Sequence, residues 1–259
     1  MKYEKGFTLL EVVLSVAILA ILAGMLSPSV YRQIEAKRER ATMEEMRSIY
    51  DAIMGDPELG TFGYVGDVGS LPSDLEDLIT QPSGVSSFAA YTHGVGYGWR
   101  GPYITTRYDD FLDSWGTHFR YGQSPDGAGQ IRSAGQDKTF DSEDDLLFPH
   151  SPVNIYGTLL VSVQDNGIPD PETTTVEIFY PLDGVEVNPT DLAIATPNRQ
   201  QSSDWNGWTF SVPHGIRAMR FTFSDDSPKL TNVHVVANAQ VHQNVFSYSD
   251  HVVLPYPGP

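Results

Sequence analysis

The stretch Gly6-Phe7-Thr8-Leu9-Leu10-Glu11-Val12 opens a run that is apolar as far as Leu26 apart from three polar residues. A helix of about 20 such residues is long enough to cross the hydrocarbon core of a bilayer. A central ionised side chain adds roughly 2.5 to 3.5 kcal/mol to the cost of inserting such a helix. Glu11 therefore requires a partner, and it is the first indication of function.

Three interpretations of this segment compete. A secretory signal peptide has an apolar region of about 7 to 15 residues without an acid, followed by a small-residue cleavage site. Here Glu11 interrupts the run and no Ala-x-Ala follows it. A plain single-span anchor fits the length but gives Glu11 no partner. A processed leader accounts for every residue of the stretch.

The sequence Lys5-Gly6-Phe7-Thr8-Leu9-Leu10-Glu11 resembles the class III leader of type IV pilins and type II secretion pseudopilins. The resemblance implies that a prepilin peptidase cleaves after Gly6 and N-methylates Phe7, the new first residue. It also implies that Glu11 pairs with the N-terminal amine of a neighbouring subunit. This role agrees with the energetics, because a cation supplied by the next subunit offsets the cost of a carboxylate in lipid.

The 259-residue chain carries a formal charge of −17, and that charge is unevenly distributed. Residues 1–50 have 7 basic against 6 acidic side chains, residues 51–150 have 5 against 16, and residues 151–259 have 4 against 11. The acidic body argues against nucleic-acid binding through phosphates. The chain also lacks cysteine, which excludes disulfides, thiolate zinc sites and cysteine nucleophiles.

A helix is predicted over residues 7–54, since the residues after Leu26 are strong helix formers with only Pro28 out of place. Pro28 favours a kink. An apolar stripe at positions i, i+3, i+4 and i+7 is predicted to lie on a globular domain. It consists of Met46, Ile49, Tyr50 and Ile53. Gly55 is the predicted end of the helix.

Residues 56–70 are glycine-rich and are predicted to form a loop. A short helix is predicted after them, with Ser73 as its cap and Glu76 completing a capping box. Four short strands are then expected, in an order that resembles the small antiparallel sheet of the major pseudopilin. Their segments are Gly101–Ile104, Asp113–Gly116, Phe119–Tyr121 and Ile131–Gly135. With the leader, the resemblance covers roughly residues 1–148.

Beyond the linker at Ser151 the hydrophobic pattern changes to period two, which predicts an antiparallel β-sandwich. The predicted strands are Thr158–Val163, Thr175–Phe179, Trp208–Val212, Ile216–Phe223 and Leu230–Val236. We therefore expect an α+β chain with a leader (1–6), a long helix (7–54), a pseudopilin-like domain (55–150) and a C-terminal all-β sandwich domain (151–259). The first half of the helix is expected to span the membrane, and its amphipathic second half to pack on the small sheet.

Five carboxylates lie within the nine residues from Asp137 to Asp145, a density that suits one hard cation such as calcium. The spacing is not that of an EF-hand. It resembles the calcium loop of the major pseudopilin, which implies Asp137, Asp144 and Asp145 as metal ligands. Lys138 stands where that family usually has glycine. The alternative is an exposed acidic turn without metal.

The sequence contains no Gly-x-Ser-x-Gly, His-Glu-x-x-His or phosphate-loop motif, so we expect no enzyme. Four histidines are interpreted as side chains that lie at the surface or have their hydrogen bonds satisfied, rather than as metal ligands. They are His214, His234, His242 and His251.

The resemblance implies a structural subunit of a homo- or hetero-oligomeric pilus-like filament, extruded by an inner-membrane assembly machinery. The expected location is the inner membrane, with a single span and with the globular part in the periplasm or in an extracellular filament. The alternative is a membrane-anchored module whose β-domain recognises a glycan or protein. Two questions stay open at this point. One is whether the filament is a secretion pseudopilus or a type IV pilus, and the other is whether the chain is a major or a minor subunit.

Overall fold

A computed structural model of the chain describes residues 8–89, 95–105, 111–122, 126–165, 168–169, 175–187, 198–202, 205–222, 228–248 and 251–253. It has a long N-terminal helix, a small three-stranded sheet and two larger sheets. This arrangement confirms the predicted α+β class. The leader and Phe7 lie outside the described residues.

Helix α1 runs from Leu9 to Met54, 46 residues, and it remains helical through Pro28. The Thr8 hydroxyl caps it by accepting the Glu11 N–H at 3.3 Å. The predicted end is confirmed, because Gly55 follows with φ 76° and donates its N–H to the Asp51 carbonyl. Among the residues that the structure describes, no helix combines the length and the apolarity needed to cross a membrane.

The predicted apolar stripe of α1 lies in the core of the globular part. Met46, Ile49 and Ile53 are fully buried, and Tyr50 is half-buried against them. The prediction of a loop over residues 56–70 was wrong, because this segment forms a 3₁₀ turn, Pro57–Leu59, and a helix α2, Gly63–Val68. Glycine permits this packing, since a Cβ at Gly63 would lie 2.6 Å from the Ile53 carbonyl oxygen of α1.

The predicted short helix exists as a 3₁₀ turn over Leu75–Leu78, but its cap differs from the predicted one. Asp74 is the cap, and its carboxylate accepts the Glu76 N–H at 3.0 Å. The Asp77 carboxylate closes the box by accepting the Asp74 N–H at 3.2 Å. The predicted box of Ser73 and Glu76 was therefore wrong by one residue, since aspartate is as good a cap as serine.

The small sheet is antiparallel with the order β1-β2-β3. Its strands are β1 (Arg120–Tyr121), β2 (Ile131–Ser133) and β3 (Leu146–Phe148). The two strands predicted before residue 119 were wrong: residues 101–104 form no strand and bend at 103–104, and Asp113–Gly116 is a turn. This turn forms because the Asp113 carboxylate accepts the N–H groups of Trp115 at 3.0 Å and Thr117 at 2.9 Å.

The C-terminal part is a sandwich of two sheets. Its strands are β4 (Tyr156–Asp165), β5 (Ile168–Pro169), β6 (Thr175–Leu182), β7 (Val185–Val187), β8 (Asn198–Ser202), β9 (Trp205–Pro213), β10 (Gly215–Thr222), β11 (Lys229–Val235), β12 (Gln240–Tyr248) and β13 (His251–Val253). One sheet has the order β11-β10-β6-β7, and the other has β13-β12-β4-β9-β8 with β5 paired to β4. Buried side chains between them include Leu159 and Phe210 from one sheet and Ile178 and Phe221 from the other.

All five strands predicted by alternation are present in this sandwich, although Phe223 at the end of one prediction lies outside the described residues. The predicted antiparallel pairing holds for the other described strand pairs of the sandwich, but β12 pairs with β4 in parallel, with Val241 opposite Leu159. β11 and β12 belong to different sheets, so the chain changes sheet between them. Alternation predicts which residues form a strand, but it carries no information on strand direction.

Candidate functional site

Three places in the structure bear on function, and the first is the start of α1. Glu11 lies exposed in the first turn, where the positive end of the helix dipole favours a carboxylate. The Ser15 hydroxyl donates to the Glu11 carbonyl oxygen at 2.7 Å. Gly6 and Phe7, the predicted cleavage and methylation residues, lie outside the described residues.

The N-terminal part of α1 exposes apolar side chains on all sides. Leu9 is 83% exposed and Leu10 is 77% exposed, and the exposed series continues through Leu14 and Leu19 to Ile21. A helix that is apolar around its whole circumference is buried either by other helices or by lipid. This surface therefore needs a partner that a single copy of the chain does not supply.

The second place is the acidic loop, residues 137–145. The Asp137 N–H donates to the Asp144 carboxylate at 3.0 Å, so two of the predicted ligands lie together. The Ser142 hydroxyl donates to the same carboxylate at 2.6 Å and holds the pKa of Asp144 below its usual range. Lys138 adopts φ 61°, a left-handed conformation that favours glycine, so lysine keeps the turn at some conformational cost.

Asp145, the third predicted ligand, points to an arginine instead. Its carboxylate accepts Arg132 Nη1 at 3.0 Å and the Asp141 N–H at 2.8 Å. Arg132 also donates through Nε to Asp126 at 2.8 Å. Within the described part of the chain, no three acidic, histidine or cysteine side chains are arranged to hold a metal ion. Asp137 and Asp144 suit an oxygen-seeking cation, whereas Asp145 is committed to Arg132.

A second arginine completes this ionic network. Arg120 donates to Asp126 at 3.1 Å and to Asp141 at 2.8 Å. Burial raises the pKa of Asp126, but the hydrogen bonds from Arg132 and Arg120 together outweigh burial, and the net shift is downward. The network therefore favours the ionised form of Asp126 and joins the loop to β1 and β2.

Residues beside the acidic loop contact α1. The Gln136 side chain donates to the Tyr31 hydroxyl, and Trp115 Nε1 in the neighbouring turn donates to the Glu35 carboxylate at 2.9 Å. These contacts place the loop beside the part of α1 that emerges from the globular body.

The third place is the junction between the sandwich and the end of α1, which the sequence reasoning missed. His214 follows β9 and is 2% exposed. Its Nδ1 accepts the Ala237 N–H at 3.2 Å, so the proton lies on Nε2, which donates to the Met54 carbonyl oxygen at 2.7 Å. Burial lowers the pKa of His214. The interpretation of this histidine as a satisfied side chain is confirmed.

Arg217 on β10 is the main polar group of this junction, and it is completely buried. It donates through Nε to the Pro213 carbonyl at 2.9 Å and through Nη1 to the Gly66 carbonyl of α2 at 3.0 Å. Nη2 donates to the His214 carbonyl. Because these carbonyls belong to α2, to the end of β9 and to the residue after it, one side chain fastens the sandwich to the helical part.

Close backbone packing continues the junction between α2 and β6. Gly69 has φ 83°, and a Cβ there would lie 1.7 Å from the Pro181 carbonyl oxygen. The Gly184 N–H donates to the Val68 carbonyl at 2.9 Å. No side chain fits at Gly69, so the junction requires glycine at this position.

Two comparisons with known proteins bear on these places. The family described as the prokaryotic N-terminal methylation motif matches residues 1–27. The type II secretion system core protein G of Xanthomonas campestris pv. campestris is 30% identical to this chain over 135 residues, which are 52% of this chain and 80% of that protein. The aligned length is far greater than the motif, so the likeness does not rest on the N-terminus alone.

Proposed function

Because the chain belongs to the type II secretion pseudopilin family and is therefore a structural, pilus-like subunit, we propose that α1 holds it in the inner membrane until assembly. The observation that carries the proposal is the apolar N-terminal part of α1, exposed on all sides with one carboxylate in its first turn. Lipid covers this surface before assembly, and the helices of other pilin-like subunits cover it in the filament. The globular part faces the periplasm. The role is structural rather than catalytic.

The proposal begins with processing of the leader. A prepilin peptidase cleaves after Gly6 and N-methylates Phe7, and the match to the methylation motif over residues 1–27 supports this step. The new amine of Phe7 then pairs with Glu11 of a neighbouring subunit. The pair forms only when the two helices meet, so the cost of burying the carboxylate is offset at the moment of assembly. The inner-membrane machinery then moves the paired helices out of the membrane.

Mass spectrometry tests the processing step directly. We expect protein purified from cells that contain a prepilin peptidase to begin at Phe7 and to carry one added methyl group. A Gly6→Val control keeps the leader, because the peptidase of this family cleaves after glycine. A wild-type chain that begins at Met1 would contradict the proposal.

We also propose that the acidic loop binds one calcium ion through Asp137 and Asp144, supported by nearby backbone carbonyls. Calcium prefers oxygen ligands and accepts irregular geometry, which suits a loop that already brings the backbone of Asp137 to the Asp144 carboxylate. When bound, the ion would neutralise the loop and fasten its two ends. Asp145 has a different role in this proposal, because its carboxylate holds Arg132.

Thermal unfolding of the full chain in detergent, with calcium and with a chelator, tests this site. At a hundredfold excess over its Kd, calcium is expected to raise the wild-type Tm by about 5 °C. Asp144→Asn should remove this increase. Asp145→Asn, the matched control, should lower the Tm in both conditions and keep the increase. A wild-type Tm that is the same in both conditions would mean that the loop is an acidic turn without calcium.

A further inference from the structure

The length of α1 fixes the level at which the helix leaves the hydrocarbon core of the membrane. From Leu9 to Val30 the helix rises about 32 Å, and the hydrocarbon core of a bilayer is about 30 Å thick. Tyr31 and Arg32 follow, and both are exposed. Tyrosine and arginine suit the headgroup layer, because their apolar parts stay near the lipid tails while their polar ends reach the headgroups. In the proposed membrane state, these two residues therefore lie at the headgroup level.

The globular part extends along α1 as far as this level. The Gln136 side chain, beside the acidic loop, donates to the Tyr31 hydroxyl. Farther along the same face of α1, Trp115 donates to Glu35, and the Ser114 N–H donates to the Thr42 hydroxyl at 3.1 Å. These contacts hold the acidic loop at the level of the headgroups.

Tyr31, Arg32 and residues 136–144 together form what we call the membrane-side edge. Its exposed charged side chains are Arg32 and Lys138 against Asp137, Asp141, Glu143 and Asp144. The edge is therefore negative overall, and a layer of anionic headgroups would repel it. A zwitterionic headgroup has no net charge, and it offers a phosphate to the guanidinium group and an ammonium group to the carboxylates. The charges of the edge match this kind of lipid.

We propose that the membrane-side edge rests on the periplasmic surface of the inner membrane before assembly, on headgroups that carry both a phosphate and an ammonium group. Arg32 binds the phosphate, and the loop carboxylates accept hydrogen bonds from the ammonium group. The inference rests on the proposed function. It adds a contact between the globular part and the lipid surface, and this contact breaks when the subunit leaves the membrane.

Fluorescence quenching in vesicles tests the contact, because the native chain has no cysteine and a single label can be placed at will. The full chain is inserted into vesicles of phosphatidylethanolamine and phosphatidylcholine that contain a lipid with a nitroxide on its headgroup. A label on Lys138→Cys is expected to lose most of its fluorescence. The matched control is Leu59→Cys, whose side chain is 78% exposed beyond the end of α1. Met54 lies about 35 Å farther along the helix axis than Tyr31, so the control label should stay bright.

A third label separates this inference from the proposed function. A label on Leu19→Cys should be quenched by a nitroxide on the lipid tails if α1 spans the membrane. Quenching of this label without headgroup quenching at Lys138→Cys would overturn the contact alone, and so would equal headgroup quenching at Lys138→Cys and Leu59→Cys. A Leu19→Cys label that stays in water would refute the proposed function, and the contact would fall with it.

The matching of charge is tested with the Lys138→Cys label and a chelator, so that the carboxylates keep their charge. Replacing phosphatidylethanolamine by phosphatidylglycerol is expected to lower headgroup quenching about twofold, because the negative edge is repelled. Arg32→Gln should lower it about twofold in the original vesicles. Lys37→Gln is the matched control, since it removes the same charge more than one turn farther from the membrane and should leave quenching unchanged. Equal quenching in both kinds of vesicle, or equal effects of the two substitutions, would overturn the inference.

Discussion

Replacing Glu11 by leucine is expected to abolish filament assembly while the protein stays in the inner membrane. The change removes a carboxylate that costs roughly 2.5 to 3.5 kcal/mol in lipid, so membrane insertion becomes more favourable. In the filament it leaves the Phe7 amine of the neighbour without its partner. Loss of one member of a buried charge pair costs about 3 to 5 kcal/mol, and this cost recurs at every subunit.

The measurement compares protein in sheared filaments with protein in the membrane fraction. Ser15→Ala is the matched control. Ser15 lies one turn after Glu11, and in the described contacts its hydroxyl donates only to the Glu11 carbonyl oxygen. We expect this control to assemble at close to the wild-type level. Wild-type amounts of filament from Glu11→Leu would contradict the proposed pairing of Glu11 with the Phe7 amine.

The second large effect is expected from Arg217→Met, which should lower the free energy of unfolding by about 3 kcal/mol or more. Methionine fills a similar volume but leaves the carbonyls of Gly66, Pro213 and His214 without their shared donor. Each buried polar group that loses its hydrogen bond costs about 1 to 3 kcal/mol. Denaturant unfolding of the full chain in detergent measures the loss.

Arg220→Met is the control on the same strand. Arg220 is partly exposed and pairs with Glu177 at the surface of the sheet, so its loss should cost no more than about 1 kcal/mol. Equal losses in the two variants would mean that the junction at Arg217 contributes no more to stability than a surface ion pair does. A larger loss at Arg217 would also indicate that the sandwich is an integral part of the subunit rather than a loosely tethered module.

The division between residues 150 and 151 stays a prediction. Three core clusters lie among the described residues: one around α1, one inside the sandwich, and a small one in which Val95 packs with Phe179 and Ala218 of the sandwich. Ile155, which lies just after the predicted boundary, is buried in the cluster around α1. The chain thus enters the sandwich only after it has contributed to the first core.

Periodicity predicted the parts of the fold that depend on one buried face. The apolar stripe of α1 specifies one side that excludes water, from Met46 to Ile53. Alternation specifies such a side in five strands: β4, β6, β9, β10 and β11. Strand direction and contacts between distant segments carry no such local signal. Arg217 shows this limit, because a charged residue in an alternating strand predicts a solvent-facing position. Its burial depends on several carbonyl acceptors, and one of them, that of Gly66, is distant in sequence.

The acidic loop was only partly predictable for a similar reason. The spacing of the carboxylates identified a charged turn, and the structure places Asp137 beside Asp144. The partner of Asp145 depends on strand pairing, since Arg120 lies opposite Arg132 across β1 and β2 and both reach toward the loop. No sequence pattern assigns that register, because both strands are only two or three residues long.

The junction at His214 and Arg217 attaches the sandwich to the C-terminal end of α1 at two points, so the two parts move together. The first point is the contact of His214 with the carbonyl of Met54, the last residue of α1. The second is the contact of Arg217 with the carbonyl of Gly66, and two points of attachment prevent the sandwich from rotating relative to the helix. Any rotation of α1 about its own axis would therefore turn the sandwich through the same angle. The displacement grows with distance from the axis, so the outer strands of the sandwich would move farther than the strands beside the helix.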